Sequence, residues 1–334
     1  MVDLGGAVQR TADQLAEGRA GVVVAALADG AAELRAAGVA TVDTVFELGS
    51  VSKVFTSLAL AALVTEGLVE LDQPLAELLP EAAGLQRNGI PVTLRQLAQH
   101  TSGLPRLPHG MLLPALFSPG RPDPYARLTE PVLLGTLRRT RPGAVPGSRF
   151  RYSNLGAGLL GLALARRAGT DYEGLIAGRI TGPLGLADTA VTPADPSRLA
   201  QGHNGGGRPV PGWNLAALAG AGGLRGTAGD LVDFLRAQLE PEQSPLAAAI
   251  ALSRTPEHRL NPFSWIHLGW MGQRLHPRQG GHLQLWHNGA TGGFASFVGF
   301  DPERGTGVAV LSSTQRSVDS AGGALLTELS TAVG

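Results

Sequence analysis

Strand-like segments lie near both ends of this 334-residue sequence, and mostly helical segments lie between them. Residues 21–27 are a β-branched apolar run, and an Asp29-Gly30 turn joins them to a second strand over 33–39. Four further strand-like runs follow Pro262: 265–275, 283–287, 295–300 and 307–312. The simplest way to pair these strands is one antiparallel sheet built from both termini, with helices on its faces. The sequence therefore predicts a mixed α/β (α+β) fold.

The middle of the chain predicts a largely helical insert with breaks rich in proline and glycine. At roughly 150 residues per domain, the length suggests two domains or one large composite domain. We predict a sheet domain made of residues 1–70 and 260–334 and a mainly helical domain made of residues 71–259. The active site is expected in the cleft between them.

One predicted helix, over residues 50–66, is apolar on most of its sides. A helix with this pattern is usually central and buried. Gly67 follows it as a candidate C-cap, because glycine readily takes the left-handed conformation that ends many helices.

Composition excludes several classes of function. Lys+Arg and Asp+Glu are both 27, so the charge gives no reason to expect nucleic acid or an anionic membrane as a partner. The chain has no cysteine, and its histidines lack ligand-like spacing with carboxylates, so we expect no metal and no cofactor. The first 18 residues do not have the pattern of a secretory signal and no stretch is long enough to span a membrane, which predicts a cytoplasmic protein.

Lys53 is the only lysine in the chain, against 26 arginines (27 basic residues minus one). Lysine can lose its proton at accessible pH and arginine cannot, so a single retained lysine points to proton transfer. It lies three residues after Ser50, a spacing that brings both side chains to one face of a helix. A buried, neutral lysine can activate a serine nucleophile. The alternative interpretation is a serine N-cap followed by a surface lysine.

Two other segments carry polar groups suited to the same chemistry. Tyr152 and Asn154 precede an apolar helix, and a phenol beside a neutral lysine can relay protons. His287 begins a run of small residues through Gly293 at the end of a strand, where backbone N–H groups can form an oxyanion hole. The alternatives are a packed aromatic beside a helix cap and a plain glycine-rich turn.

Taken together, these segments resemble the serine β-lactamase and penicillin-binding-protein superfamily. The resemblance is closest to the branch with class C β-lactamases, D,D-peptidases, D-aminopeptidases and family VIII esterases, and it runs from about residue 20 to residue 313. It rests on Phe46-Glu47-Leu48-Gly49-Ser50-Val51-Ser52-Lys53, Gly67-Leu68-Val69-Glu70-Leu71-Asp72-Gln73-Pro74, Leu97-Ala98-Gln99-His100-Thr101-Ser102-Gly103-Leu104-Pro105, Tyr152-Ser153-Asn154, Gly220-Ala221-Gly222-Gly223-Leu224, Thr227-Ala228-Gly229-Asp230-Leu231 and the glycine-rich strand near the C-terminus.

The resemblance implies a role for each matching residue. Ser50 is the acylated nucleophile, and Lys53 and Tyr152 share the general-base and general-acid work. The backbone N–H groups of Ser50 and Ala290 form the oxyanion hole. Asn154 orients the lysine and the substrate. His100 supports the site structurally.

The sequence departs from the superfamily where a Lys-Thr-Gly triplet helps to hold a substrate carboxylate. His287-Asn288-Gly289 occupies that position, and a histidine is mostly neutral at pH 7. Arg316, after the last strand, is a candidate for the missing charge. This change weakens the expectation of β-lactam hydrolysis and favours neutral substrates. An apolar stripe over residues 111–117 is a candidate acyl pocket.

The functional prediction is a cytoplasmic serine hydrolase with an acyl-serine intermediate, acting as a carboxylesterase on small neutral esters. The alternatives are a β-lactamase or D-amino-acid peptidase, an acyltransferase or thioesterase in biosynthesis, and a non-catalytic penicillin-binding sensor. The expected partner is a small-molecule ester or amide. The sequence does not indicate an oligomeric state.

Overall fold

The computed structural model describes residues 3–111, 123–255 and 257–333. Its strands are β1 (Gly21–Ala28), β2 (Ala31–Gly38), β3 (Phe46–Glu47), β4 (Gln86–Arg87), β5 (Ile90–Pro91), β6 (Arg225–Gly226), β7 (His258–Asn261), β8 (Ser264–Ile266), β9 (Met271–Arg274), β10 (Leu283–Ala290), β11 (Ala295–Asp301) and β12 (Thr306–Ser312). Its α-helices are α1 (Leu4–Ala16), α2 (Ser52–Thr65), α3 (Leu75–Leu78), α4 (Leu94–Ala98), α5 (Glu130–Leu137), α6 (Asn154–Arg167), α7 (Tyr172–Ile176), α8 (Gly182–Leu184), α9 (Ala228–Leu239), α10 (Ala247–Arg254) and α11 (Asp319–Ala332).

Strands from both ends of the chain form one antiparallel sheet. Within the described residues its order is β2-β1-β12-β11-β10-β9-β8-β7. The first strand pairs with the last, so that Val24 lies opposite Val310. The predicted α/β architecture, with a sheet built from both termini, is confirmed.

Both faces of this sheet are apolar because helices cover both. Val22 and Val24 of β1 pack on one face with α1 and α11, whereas Val23 and Ala25 face the core that contains α2 and α9. Successive side chains of a strand point to opposite faces. The uninterrupted apolar run of β1 follows from this two-sided burial.

Helix α2 lies in the centre of the protein, as its all-round apolar pattern predicts. Every residue from Ser52 to Leu63 is buried. The α-helix itself begins at Ser52, and a 3-10 turn over Gly49–Val51 comes before it. Gly67, with φ of +70°, follows the end of the helix as expected.

The C-terminal strands differ from the prediction in one region. Residues 265–275 form two strands, β8 and β9, and the short polar strand β7 precedes them. The chain turns at Gly269, whose φ is +77° and where an added Cβ would lie 3.0 Å from the Lys53 carbonyl oxygen. Close contact with α2 therefore breaks what the sequence presents as one strand.

The helical region and the sheet share one hydrophobic core. Helix α9, which belongs to the predicted helical domain, packs on β1 and β12. The boundaries at residues 70 and 260 therefore stay a prediction.

Of the predicted acyl-pocket stripe at 111–117, only Met111 lies among the described residues. Within the residues described, no helix has the length and apolar character needed to cross a membrane.

Candidate active site

Ser50 lies on the 3-10 turn before α2, and backbone contacts fix this turn against the end of β10. Gly49 has φ of +51°, and a Cβ there would lie 2.8 Å from the Ala290 nitrogen. A Cβ at Gly289 would lie 3.0 Å from the Ser50 nitrogen. Two glycines thus allow the backbones of Ser50 and Ala290 to approach each other closely, as an oxyanion hole requires.

Lys53 contacts the nucleophile directly. Its Nζ donates to Ser50 Oγ over 2.9 Å and to the carbonyl oxygen of Ala221 over 2.5 Å. The side chain is only 2% exposed. As predicted from the three-residue spacing, the hydroxyl and the amine meet. Ser50 itself lies on the 3-10 turn that precedes the α-helix.

The surroundings of Lys53 favour its neutral form. Burial lowers the pKa of this amine well below its usual value, and the nearby Arg106 cation lowers it further. Desolvation disfavours a charged lysine, and a like charge does the same. The amine is therefore suited to accept a proton from Ser50 at neutral pH.

Backbone of the segment 219–224 completes the lysine site. Thr56 Oγ1 donates to the Gly220 carbonyl oxygen over 2.8 Å, and Leu224 N donates to Ser52 Oγ over 3.0 Å. These bonds anchor the segment to α2 and position the Ala221 carbonyl at the lysine. The sequence predicts backbone of Ala219 to Leu224 beside the cleft, and the structure has it there. The contact of the Ala221 carbonyl with Lys53 was not predicted, because any residue type carries a carbonyl.

Tyr152 joins the pair from a separate segment. Its hydroxyl is hydrogen-bonded to Ser50, and Lys53 Nζ lies 4.9 Å from its ring centroid. Burial raises the pKa of Tyr152 to about 12, with the Ser50 hydrogen bond and Arg106 opposing the rise. At neutral pH the phenol therefore keeps its proton.

His100 holds the tyrosine ring in place. The two ring centroids are 4.4 Å apart, and His100 Nδ1 accepts a hydrogen bond from Ser153 N. Ser153 in turn caps α6 by accepting from Gly156 N. Burial, with Lys53, His287 and Arg106 nearby, lowers the pKa of His100 well below its usual value, so this imidazole is a neutral support.

A cavity of about 450 Å³ opens beside these groups. Its lining includes all the predicted site residues except Lys53, His287 and Arg316: Ser50, Tyr152, Asn154, Asn288, Gly289 and Ala290. Leu107, Tyr125 and Trp213 add an apolar wall, in which the two aromatic rings meet edge to face at 5.4 Å. The side chains of Asn154 and Tyr125 are hydrogen-bonded to each other.

Among the described residues, the β10 side of the cavity carries no cation. His287 is 3% exposed, and its Nδ1 contacts the Asn288 carbonyl oxygen over 2.7 Å. Burial, assisted by Lys53, lowers the pKa of His287 to about 3, so the ring is neutral. Asn288 Nδ2 donates to Asp319 over 2.8 Å.

Arg316, the predicted candidate for the missing charge, lies away from the cavity, and a different arginine lines it. Arg316 does not line the cavity, because its Nε donates to the Gly205 carbonyl oxygen over 2.9 Å. Arg106 lines the cavity, with its guanidinium carbon 5.3 Å from the ring centroid of Tyr152. Sequence reasoning missed Arg106, because one arginine among 26 carries no signal of its own.

The arrangement unites a serine, a neutral amine and a phenol beside two backbone N–H groups. A family model described as beta-lactamase matches residues 8–332. The chain belongs to the beta-lactamase family. This membership confirms the predicted superfamily and the prediction of an S-x-x-K serine hydrolase.

Named relatives in this family match most of the chain. The D-alanyl-D-alanine-carboxypeptidase/endopeptidase AmpH of Escherichia coli (strain K12) is 30% identical over 285 residues, covering 80% of this chain and 71% of that protein. A beta-lactamase of Pseudomonas fluorescens is 28% identical over 333 residues, covering 88% of each chain. A beta-lactamase of Escherichia coli (strain K12) is 28% identical over 304 residues, covering 82% of this chain and 76% of that protein.

The titration of this beta-lactamase-family site predicts a broad pH optimum. Lys53 accepts a proton only as the neutral amine, so activity is lost when pH falls through its lowered pKa. Tyr152 keeps its proton up to a pKa of about 12. We expect kcat/KM for a neutral ester to be constant through neutral pH and to fall in acid. A rate that instead keeps rising towards pH 10 contradicts a lysine with a lowered pKa.

Proposed function

We propose that the chain is a carboxylesterase that cleaves small esters through an acyl-Ser50 intermediate. The part of the substrate that contacts strand β10 is uncharged. The proposal also retains the cytoplasm as the place of action, which cell fractionation tests.

Acylation begins with proton transfer from Ser50 to Lys53. The 2.9 Å separation of Nζ and Oγ and the lowered pKa of the amine support this transfer, for which the neutral amine accepts the Ser50 hydroxyl hydrogen. As the proton moves to Nζ, Ser50 Oγ forms a bond to the ester carbonyl carbon. The carbonyl oxygen becomes an oxyanion beside the backbone N–H groups of Ser50 and Ala290.

Collapse of this intermediate needs an acid for the departing alkoxide. Tyr152 is protonated at neutral pH and contacts both Ser50 and Lys53, so it is suited to donate a proton and recover one from the lysine ammonium. The C–O bond to the alcohol breaks and acyl-Ser50 remains. A water molecule then attacks the acyl carbon with the same groups acting in reverse, releasing the acid and restoring Ser50.

The preference for esters rests on the β10 side of the cavity. With His287 neutral and Asn288 donating to Asp319, this side has no cation for a carboxylate and no hydroxyl in the place of the superfamily's threonine. The apolar wall of Leu107, Tyr125 and Trp213 supports a short acyl group.

Amide hydrolysis is the second candidate, because the relatives include proteins named as a carboxypeptidase and as beta-lactamases. A side-by-side comparison decides between the two. We expect the highest kcat/KM on a short-chain p-nitrophenyl ester, below that a chromogenic cephalosporin, and below that a D-Ala-D-Ala peptide. A cephalosporin or peptide rate equal to the ester rate contradicts the ester proposal. A stable adduct without turnover contradicts an enzyme and indicates a sensor, and added alcohols or amines that divert the acyl group indicate a transferase.

Restoring the superfamily triplet tests the role of β10. The double substitution His287→Lys with Asn288→Thr adds a cation and a hydroxyl to this side of the cavity. We expect the cephalosporin-to-ester ratio of kcat/KM to rise about tenfold, since a hydrogen bond to a charged group is worth roughly 1.5–3 kcal/mol. The single Asn288→Thr variant is the control for the hydroxyl alone. An unchanged ratio in the double variant shows that β10 does not set the preference.

A further inference from the structure

Arg106 is a cation on the cavity wall that lowers the pKa of Lys53 but exchanges no proton and holds no substrate group in the proposed reaction. It lines the cavity with Ser50, Tyr152 and Asn154, on a different segment of the chain from β10. Its backbone is fixed, because its carbonyl oxygen accepts hydrogen bonds from Asn154 N over 2.9 Å and from Leu155 N over 3.2 Å. The base of the side chain is therefore held at the start of α6 while the guanidinium remains exposed.

The guanidinium has no acidic partner within the part of the chain that the structure describes. Among the residues at 3–111, 123–255 and 257–333, Arg106 takes part in no ion pair. Its guanidinium contacts the Tyr152 ring. Residues 112–122, which follow in the sequence, include no aspartate or glutamate. The charge is therefore available to a ligand.

Two carboxylates on neighbouring segments are already occupied. Asp123 accepts hydrogen bonds from Tyr125 N and Asn214 N. Asp319 accepts from Asn288. Neither is bonded to Arg106, so the Arg106 guanidinium is an uncompensated positive charge beside the nucleophile within the described part of the chain.

The guanidinium is separated from the nucleophile by a single aromatic ring. Tyr152 is hydrogen-bonded to Ser50 and carries Arg106 at 5.3 Å from its ring centroid. A flexible chain of several carbons attached to the acylated carbonyl spans such a separation. Arginine binds carboxylates through two parallel hydrogen bonds, which adds geometric selection to charge.

We infer that Arg106 is a specificity-determining residue that selects esters bearing a carboxylate away from the scissile bond. The inference rests on the proposed esterase function and adds a substrate class to it. The site is then neutral along β10 and cationic at Arg106, so the carboxylate is held at a different place from the one that the superfamily's Lys-Thr-Gly lysine serves.

Matched esters test this selection. Mono-p-nitrophenyl adipate and p-nitrophenyl hexanoate have acyl chains of equal length, and only the first ends in a carboxylate. A second pair, 4-carboxyphenyl butyrate and phenyl butyrate, places the carboxylate on the leaving group. We expect the wild type to prefer the anionic ester in one of the two pairs, which identifies the end of the substrate that Arg106 holds.

The Arg106→Gln variant is expected to lower the anionic-to-neutral ratio of kcat/KM about tenfold, chiefly through KM. Arg106→Lys keeps the charge but loses the two parallel hydrogen bonds, so a loss of about threefold is expected. Salt should reduce the wild-type preference and leave the Arg106→Gln ratio unchanged, because the pair is exposed to solvent.

Two variants serve as comparisons. Arg149→Gln removes an exposed arginine three residues before Tyr152 that lines no part of the cavity. Arg316→Gln removes the arginine that sequence alone favours. If Arg106→Gln leaves both ratios unchanged while the neutral esters are still cleaved, the inference is wrong and the esterase proposal stands. If the selective loss occurs in Arg316→Gln instead, the inference is also wrong. If the wild type cleaves none of the four esters, both proposals fail.

Discussion

Replacing Lys53 with methionine is expected to lower kcat/KM for the best ester by about 10³-fold, within the range that a general base contributes. Methionine has similar length and no amine, so Ser50 loses the group that accepts its proton. The position is 2% exposed and its surroundings already disfavour charge. We therefore expect the variant to fold and its melting temperature to stay at or above that of the wild type.

Lys53→Arg separates proton transfer from positive charge. Arginine stays protonated at every accessible pH, so it cannot accept the Ser50 proton. A similar loss of activity is expected, together with a lower melting temperature because a charged guanidinium is buried. The control is Arg149→Lys, the reverse exchange at an exposed position. Near wild-type activity in both Lys53 variants contradicts the assignment of this lysine as the base.

Replacing Ser50 with alanine is expected to lower kcat by at least about 10⁴-fold, since catalytic groups that act as a unit fail together. The turn that carries Ser50 is fixed by Gly49 and β10 rather than by the hydroxyl, so the fold should be retained. Lys53 keeps its bond to Ala221. The measurement is steady-state kinetics on a p-nitrophenyl ester, with thermal unfolding recorded alongside.

Ser320→Ala is the matched control, because this serine is exposed and lies outside the cavity. Its rate should equal that of the wild type. A combined Ser50→Ala and Lys53→Met variant should be no slower than Ser50→Ala alone, because the lysine acts through the serine. A further large loss in the double variant indicates a second route of hydrolysis that does not use Ser50.

Sequence periodicity predicted the central strands and the central helix, because burial determines the pattern of apolar residues in both. The apolar run of β1 and the all-round apolar pattern of α2 both reflect positions covered on every side. Strand β7 escaped prediction because it is short and half polar, and its place in the sheet depends on pairing with β8. The break at Gly269 depends on contact with α2, which local sequence does not encode.

The candidate site was predictable where residue identity carries the chemistry. Ser50, Lys53 and Tyr152 act through side chains that few other residue types could replace, and the structure brings the three together. The Ala221 carbonyl belongs to the backbone, which every residue has, so residue type gives no sign of its contact with Lys53. Which of Arg106 and Arg316 lines the cavity depends on the paths of two loops that are distant in sequence. Residue type alone does not distinguish the two arginines.

The most direct test of the account is whether an acyl group is transferred to Ser50. The protein is mixed with a p-nitrophenyl ester, quenched in acid within the first turnovers, and analysed by intact mass and peptide mapping. The account predicts a mass increase equal to the acyl group, located at Ser50, that is absent in Ser50→Ala and decays as the ester is consumed. Hydrolysis at the wild-type rate with an unmodified Ser50, or with the acyl group on another residue, contradicts it.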